Sequence, residues 1–396
     1  MGANQCCESN KNLRANNHNN NIPNSKKRDR EYTPPGNYQR NNIETDEPGN
    51  QQNPVKITSS VNNSNSRVNS PHSSLTKKKA TPKNQDTISD YVPKFVLKDS
   101  FKAHDKIIVS MIELDNKKIA TGSYDCTIKI WDLSNNNCEI IIKEEGRVFA
   151  LLEFEPNMLL SAIDKTADNI QDINLINPDD IMINLWDLNN PKKNLHSFKG
   201  HQLRVNSLVK CGNKHFASCS NDGDIIIWDY ILKKDVCTLR GHSDCILCMI
   251  KLNDGHLCSG SADKTIQIWD WEKQKCIKKL EENTNWIKCL CQLNNDKEYI
   301  ISGTQDNNIL VWDKDQCIQK LPGHTRSVRS ICQIDNTNYI ATASFDHNIK
   351  IWDLNDFRCI QTLTGHKSSV IDVIYHSDGY LVSCSNDLTI KIWKNN

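Results

Sequence analysis

L-R-G-H at 239–242, followed by S-G-S-A-D-K-T-I-Q-I-W-D at 259–270, is the stretch on which the fold turns. Its second half alternates apolar and polar residues into a Trp, the period-two pattern of a half-buried strand. The same text returns as L-P-G-H at 321–324 with T-A-S-F-D-H-N-I-K-I-W-D at 342–353. It returns again as L-T-G-H at 363–366 with S-C-S-N-D-L-T-I-K-I-W at 383–393. Working outward, Trp131, Trp186, Trp228, Trp269, Trp312, Trp352 and Trp393 each close such a run, and six of the seven are followed by Asp. Their intervals are 55, 42, 41, 43, 40 and 41 residues, a period near 41 with one long unit. Short apolar runs in phase with turn signals predict strands and no helical layer.

On these residues the chain resembles the WD40 family, and the likeness extends over about three quarters of it. The resemblance implies an all-β, seven-bladed β-propeller, each blade a four-stranded antiparallel sheet. It further implies a His, a Ser or Thr, an Asp and a Trp joined by hydrogen bonds within each blade. Five repeats carry the full set: His104, Thr121, Asp125, Trp131; His201, Ser218, Asp222, Trp228; His242, Ser259, Asp263, Trp269; His324, Thr342, Asp346, Trp352; and His366, Ser383, Asp387, Trp393. A buried indole N–H and a buried imidazole need partners, which such a set supplies. On paper the His, Asp and Ser look like a catalytic triad, but five copies at one fold position point to structure, and no catalytic residue is expected.

Two repeats depart from the pattern. The fifth keeps Ser302, Asp306 and Trp312 but has Asn283 in place of His, which predicts a reduced network. The second has Glu144 near the His position, Ser161 and Trp186. Its turn Asp is expected to be Asp180, behind an insertion of about 16 residues at 164–179. The last repeat stops at Trp393 without an outermost strand, and P-K-F-V-L-K-D-S-F at 93–101 is expected to supply it, closing the ring and removing free sheet edges.

The propeller is expected over 91–396. Residues 1–90 are crowded with Asn, as in A-N-N-H-N-N-N at 15–21, and are too poor in apolar side chains to offset ordering entropy, so a disordered tail is expected. That stretch holds 13 Lys/Arg against 8 Asp/Glu, and the whole chain has a formal charge of +1. Neither suggests a nucleic-acid binder, which would carry a basic stripe on its folded part. Thr33, Ser70 and Thr81 each precede proline and are candidate phosphorylation positions. M-G-A-N-Q-C-C at the start offers Gly2 for N-myristoylation and Cys6 and Cys7 for thioester acylation, although Cys6 stands where Ser or Thr is usual. One acyl chain holds a protein only marginally at a membrane, whereas two hold it stably. An unmodified tail is the alternative.

No apolar run reaches the roughly 18 residues of a membrane span, and the expected location is the cytoplasm, peripheral on a cytosolic membrane face if the tail is acylated. The 17 cysteines sit mostly among apolar neighbours in strands and read as small reduced core residues. Cys245 and Cys248 lack a second ligand pair, so neither metal nor cofactor is expected.

The loops after each His and before each Asp share one face of the ring. They bring Tyr124, Arg147, Arg204, Trp286, Arg326, Arg329 and Phe345 there, residue types that interface hot spots favour. The expected function is a non-catalytic scaffold or adaptor for other proteins or peptide motifs, monomeric within a larger complex. A substrate-recognition subunit of a ubiquitin ligase, or a cytoskeletal or ciliary assembly factor, are the alternatives.

Overall fold

The computed structural model describes residues 92–166, 177–283, 285–294, 297–313 and 315–396. The expected disordered tail, with Gly2, Cys6, Cys7 and the three Ser/Thr-Pro positions, lies outside the described residues, as does the middle of the 164–179 insertion. The described residues form seven four-stranded antiparallel sheets, the blades of a β-propeller. Blades 1 to 6 take consecutive strands from 108–143, 147–198, 205–240, 246–280, 287–321 and 328–363. Blade 7 takes three strands from 370–395 and its outermost strand from Phe95–Lys102. The innermost strands touch their neighbours all the way round.

The closing strand pairs antiparallel with Thr389–Asn395, from Phe95 opposite Asn395 to Lys102 opposite Thr389. Phe95 is buried among Leu363 of blade 6 and Val370, Leu381 and Trp393 of blade 7. Gln361, on the outer strand of blade 6, accepts from the Phe95 amide at 2.9 Å and donates to its carbonyl at 2.6 Å. The ring is therefore sealed within blade 7 and stitched to the blade beside it.

Burial follows strand position. The second strand of blade 4, Leu257–Ser261, is buried throughout, whereas its outer strand Lys275–Leu280 is buried only at Leu280. At the centre of each second strand the next blade leaves no space for a large side chain. A Cβ on Gly122 would lie 2.5 Å from Val148 Cγ1, and one on Gly260 2.5 Å from Ile287 Cγ2. The equivalent residues elsewhere are Ala162, Cys219, Gly303, Ala343 and Cys384, so two of the cysteines are small packing residues.

The turn before each third strand explains the recurrent Asp. Cys126, Lys264, Asn307, His347 and Leu388 sit there with φ between 63° and 71°, a region that is strained for residues other than glycine; blade 3 has Gly223 instead. In the five complete blades one Asp oxygen accepts the amide two residues on, as in Thr265 to Asp263 at 2.9 Å and Asn348 to Asp346 at 3.0 Å. The other accepts His Nδ1, at 2.9, 2.9, 2.8, 2.7 and 2.9 Å for His104, His201, His242, His324 and His366. Nε2 of each His bonds the Ser or Thr hydroxyl at 2.7–2.8 Å. The Trp N–H donates to that same hydroxyl at 2.7–2.9 Å.

Burial lowers the pKa of His104 and of His366, and the paired carboxylates only partly offset it. Burial pushes Asp346 up, but the hydrogen bond and charge of His324 with the Thr325 and Asn348 amides outweigh it and hold it at about 2.

The two irregular blades differ in kind. Asn283 is buried in the His place of blade 5, and neither its Oδ1 nor its Nδ2 has a hydrogen-bond partner, although Trp312 still donates to Ser302 at 2.9 Å. In blade 2, Glu144 takes the His place and accepts from Ser161 at 2.5 Å, Trp186 at 2.7 Å and Asn184 at 2.7 Å. Asp180 does not join this network as the sequence suggested. It ends a short 3-10 turn, Pro178–Asp180, where its carbonyl accepts the Lys165 amide. With a carboxyl already in the His place, a second one in the turn would repel it.

Asn283→His is expected to restore both missing bonds and stabilise the protein by about 1 kcal/mol, raising the thermal midpoint by roughly 2–4 °C. An unchanged or lower midpoint would refute this. Asp346→Asn is expected to destabilise by about 2 kcal/mol at pH 7. Because the folded pKa is depressed, that difference is fully present above the ordinary value of 3.8 and fades as pH falls towards 2. Urea titrations of both proteins from pH 7 to pH 2.5 measure it, and a difference independent of pH would show that the charge plays no part.

Candidate functional site

Two tiers of side chains line one end of the ring. The outer tier follows from a backbone pairing that repeats around the face. The residue before each turn Asp donates its amide to the residue just ahead of the innermost strand: Tyr124 to Ile107, Asn221 to Arg204, Ala262 to Cys245, Gln305 to Trp286, Phe345 to Ser327 and Asn386 to Ser369, at 2.9–3.0 Å. Those positions are fixed in space while their side chains are free to vary. Tyr124, Arg204, Trp286 and Phe345 belong to this tier, with Arg147 at the corresponding place in blade 2 and Arg326 beside Ser327.

The inner tier comes from a feature the strand pattern hides. Every innermost strand carries a register shift one or two residues after it begins, at Val109, Phe149, Asn206, Leu247, Lys288, Arg329 and Ile371. A bulge re-aims one side chain at a defined place. Six of these seven, all but Phe149, line a cavity of about 160 Å³ on the axis, with Asp372, Ser330 and Cys248 among the other lining residues. Arg329 therefore belongs to the axial channel, one tier inward of where the sequence reading set it. Phe149 and Lys288 were not singled out in the sequence. The one cue was that each lies two residues after a face residue, Arg147 and Trp286.

The tiers meet in a cluster spanning blades 1, 2 and 3. The Tyr124 and Phe149 rings pack edge to face with centroids 5.2 Å apart. The Arg147 guanidinium lies 5.2 Å from the Tyr124 ring and 5.7 Å from Phe149, and that of Arg204 lies 4.6 Å from Phe149. Arg147 is held from behind by the Thr166 carbonyl at 2.7 Å and by Asp164 at 3.6 Å. Arg204 is braced by Asn206 Oδ1 at 3.2 Å. Cations stacked on rings form a preorganised surface that loses little side-chain entropy when a partner binds. Across the axis, Lys288 Nζ lies 4.9 Å from the Trp286 ring. Phe345 instead packs partly into the core of blades 7 and 1, so less of it faces outward.

The electrostatics of this end are cationic. Burial, with Arg329 and Arg204 nearby, brings the Lys288 ammonium down to about 7. Burial pushes Asp372 up to about 6 against the bonds it accepts from Ser330 at 2.6 Å, Met111 N at 3.2 Å and Val373 N at 2.9 Å. Burial also raises the Tyr124 phenol against the pull of Arg204 and Arg147.

The His–Asp–Ser sets offer no comparable opening. Ser218, Ser259 and Ser383 are fully buried, and each hydroxyl is shared between an imidazole and an indole N–H. A hydroxyl so placed is out of reach of a substrate. Among the described residues no three His, Cys, Asp or Glu side chains gather as a metal site, and no helix is long and apolar enough to cross a membrane.

The family model described as WD40 (WD domain, G-beta repeat) matches residues 95–132, 192–229, 233–270, 274–313, 315–353 and 357–394, together more than half the chain. Each match starts in or shortly before the outer strand of one blade and ends at the third strand of the next. The stretch bearing Glu144 and the insertion is not matched. The nuclear distribution protein nudF of Aspergillus flavus is 32% identical over 321 residues, 78% of this chain and 62% of that protein. Two shorter likenesses are to the nuclear distribution protein PAC1 of Arthroderma benhamiae, 44% identical over 57 residues, and to mitochondrial division protein 1 of Neurospora crassa, 43% over 54 residues. These two cover 14% of this chain and 12% and 8% of the respective relatives, and the chain spans less than two thirds of the length of each of the three.

Proposed function

We infer that this chain, which belongs to the WD40 family (WD domain, G-beta repeat), is a non-catalytic protein-interaction scaffold that engages a partner protein or peptide through the face carrying Tyr124, Phe149, Arg147 and Arg204. The carrying observation is the cluster itself: two rings and two guanidinium groups from three adjacent blades, stacked at one end of the axis. Scattered rim arginines would each hydrate separately, whereas these pack on shared rings, as binding hot spots do. Trp286, Arg326 and Phe345 extend the same face, and Arg329 forms its floor.

A role in nuclear distribution is the second reading, favoured by the 321-residue likeness to nudF. The short likenesses follow the repeat rather than the pathway, since one belongs to a mitochondrial division protein. A lipid anchor at Gly2, Cys6 and Cys7 is the third element of the proposal. It would bring the scaffold to a cytosolic membrane surface without altering the propeller.

Proteins co-purifying with the full chain from its own cells are expected to include a set that is lost on Arg204→Glu and Arg326→Glu, with the thermal midpoint unchanged. Retention of the whole set in both variants would remove this face as the docking surface. Intact-mass analysis of the same material is expected to show added acyl mass that disappears in Gly2→Ala. A wild-type mass without acyl groups would end the membrane part of the proposal.

A further inference from the structure

The end of the ring opposite the candidate face carries an apolar projection. In each blade the third strand runs from the turn at the candidate face to the Trp at the far end, where a hairpin leads into the outer strand. That hairpin turn has the same length in blades 1, 3, 4 and 6. Its first residue serves the core, and Leu133, Tyr230 and Leu354 are buried there. The next two form the tip, and in blades 1, 4 and 6 they are polar: Ser134 with Asn135, Glu272 with Lys273, Asn355 with Asp356. In blade 3 they are Ile231 and Leu232, 56% and 63% exposed. Asp229 accepts the Leu232 amide at 2.7 Å and holds the tip in place. The blade needs neither side chain for its own packing.

Blade 2 enlarges this patch. His196 on its outer strand lies against Lys233, whose backbone and charge both act on the ring. Next to it Leu195 is 50% exposed, and Val236 on the outer strand of blade 3 is 48% exposed. Exposed lysines flank the four: Lys192, Lys193, Lys233, Lys234 and Lys214, whose carbonyl accepts the Tyr230 amide. Among the described residues none of these five forms an ion pair, whereas Lys199 pairs with Asp179 at 3.0 Å. Carboxylates are present but partly engaged. Asp229 and Asp187 accept the Leu232 and Asn189 amides, which leaves Glu155 and Asp235 as the exposed ones.

We propose that this tip docks the propeller on an anionic lipid surface, with Ile231, Leu232 and Leu195 entering the boundary between headgroups and acyl chains and the lysines lying on the headgroups. Aliphatic side chains that project among lysines suit such a boundary. Protein interfaces favour aromatic residues and Arg and are poor in Lys, and that composition stands at the other end of the ring. The chain also enters the ring on this side, since Phe95 pairs with Asn395 at the far end of blade 7. The stretch bearing Gly2, Cys6 and Cys7 therefore joins the propeller at the end that carries the tip. The proposal rests on the reading of a membrane-tethered scaffold, and it adds a contact made by the ring itself. One acyl chain holds a protein only marginally, so a second contact decides whether it stays. Docked in this way, the propeller turns Tyr124, Phe149, Arg147 and Arg204 away from the bilayer and leaves them open to a partner.

Co-sedimentation of the full chain made in bacteria, and so without acyl groups, tests this with vesicles of phosphatidylcholine alone or mixed with phosphatidylserine. Binding to the mixed vesicles that weakens as salt is added is expected. Ile231→Ser with Leu232→Ser should weaken it at least about tenfold, as should Lys233→Glu with Lys234→Glu, with thermal midpoints unchanged. Lys320→Glu, an exposed lysine of blade 5, should bind as the wild type does. Equal binding by the wild type and the Ile231/Leu232 variant would overturn the proposal and assign the binding to the basic tail, and no binding to either vesicle would overturn it outright. Dimers in light scattering that the same variant dissolves would overturn it in favour of a second copy. Loss of co-purifying proteins without vesicle binding would do so in favour of a protein partner. Because this protein carries no acyl chain, a missing acyl mass in cells would end the lipid anchor and leave the tip result standing.

Discussion

The rest of the structure depends on a pairing between residues some 300 positions apart, Phe95–Lys102 against Thr389–Asn395. Without it blade 7 would end on an open third strand, and the innermost strands would have no reason to form a closed ring. The axis exists only because that ring closes, and the cavity and both tiers of the candidate face lie around it. The join is made by backbone ladder bonds, the buried Phe95 ring and the Gln361 side chain from blade 6. Closure is thus distributed over two blades rather than borne by one strand pair.

Within the ring, the same local chemistry is repeated where packing demands it and released where packing does not. The Asp turn strains a left-handed residue in most blades, and the carboxylate answers with bonds to the following amide and to His. The small residue at the middle of each second strand is set by the approach of the next blade. By contrast, the residue before each Asp contributes only its amide to the face pairing, so it can be Tyr124, Asn221, Ala262, Gln305, Phe345 or Asn386. Variation at positions with fixed backbone is what lets one scaffold present a distinctive surface.

That division also explains how much was legible in sequence. The Trp–Asp period and the His, Ser and Asp offsets are set by strand lengths and turns, so they appear as spacing and gave the blade number, the closure and the weakened blade 5. The channel was not legible in this way. Its lining depends on a bulge that shifts each innermost strand by one residue, and a one-residue shift exchanges the faces of a strand. Arg329 consequently read as a loop residue of the face, and Lys288 and Phe149 were not singled out. The cationic character of the channel mouth lay in three residues from three separate repeats, which only the closed ring brings together.

Blade 2 shows why departure from the repeat and function coincide. A His in the usual place must be held by the turn Asp, which limits the length of the connection between second and third strands. Glu144 needs no such partner. It accepts directly from Ser161, Trp186 and Asn184, and burial raises its pKa against those bonds. With the His-to-Asp tie gone, the connection can lengthen and Asp180 can leave the network for the 3-10 turn. The base of that longer connection supplies Asp164 and the Thr166 carbonyl, which hold Arg147 beside Tyr124 and Phe149. One substitution in a structural tetrad thereby makes room for the loop that anchors the cation at the centre of the candidate face.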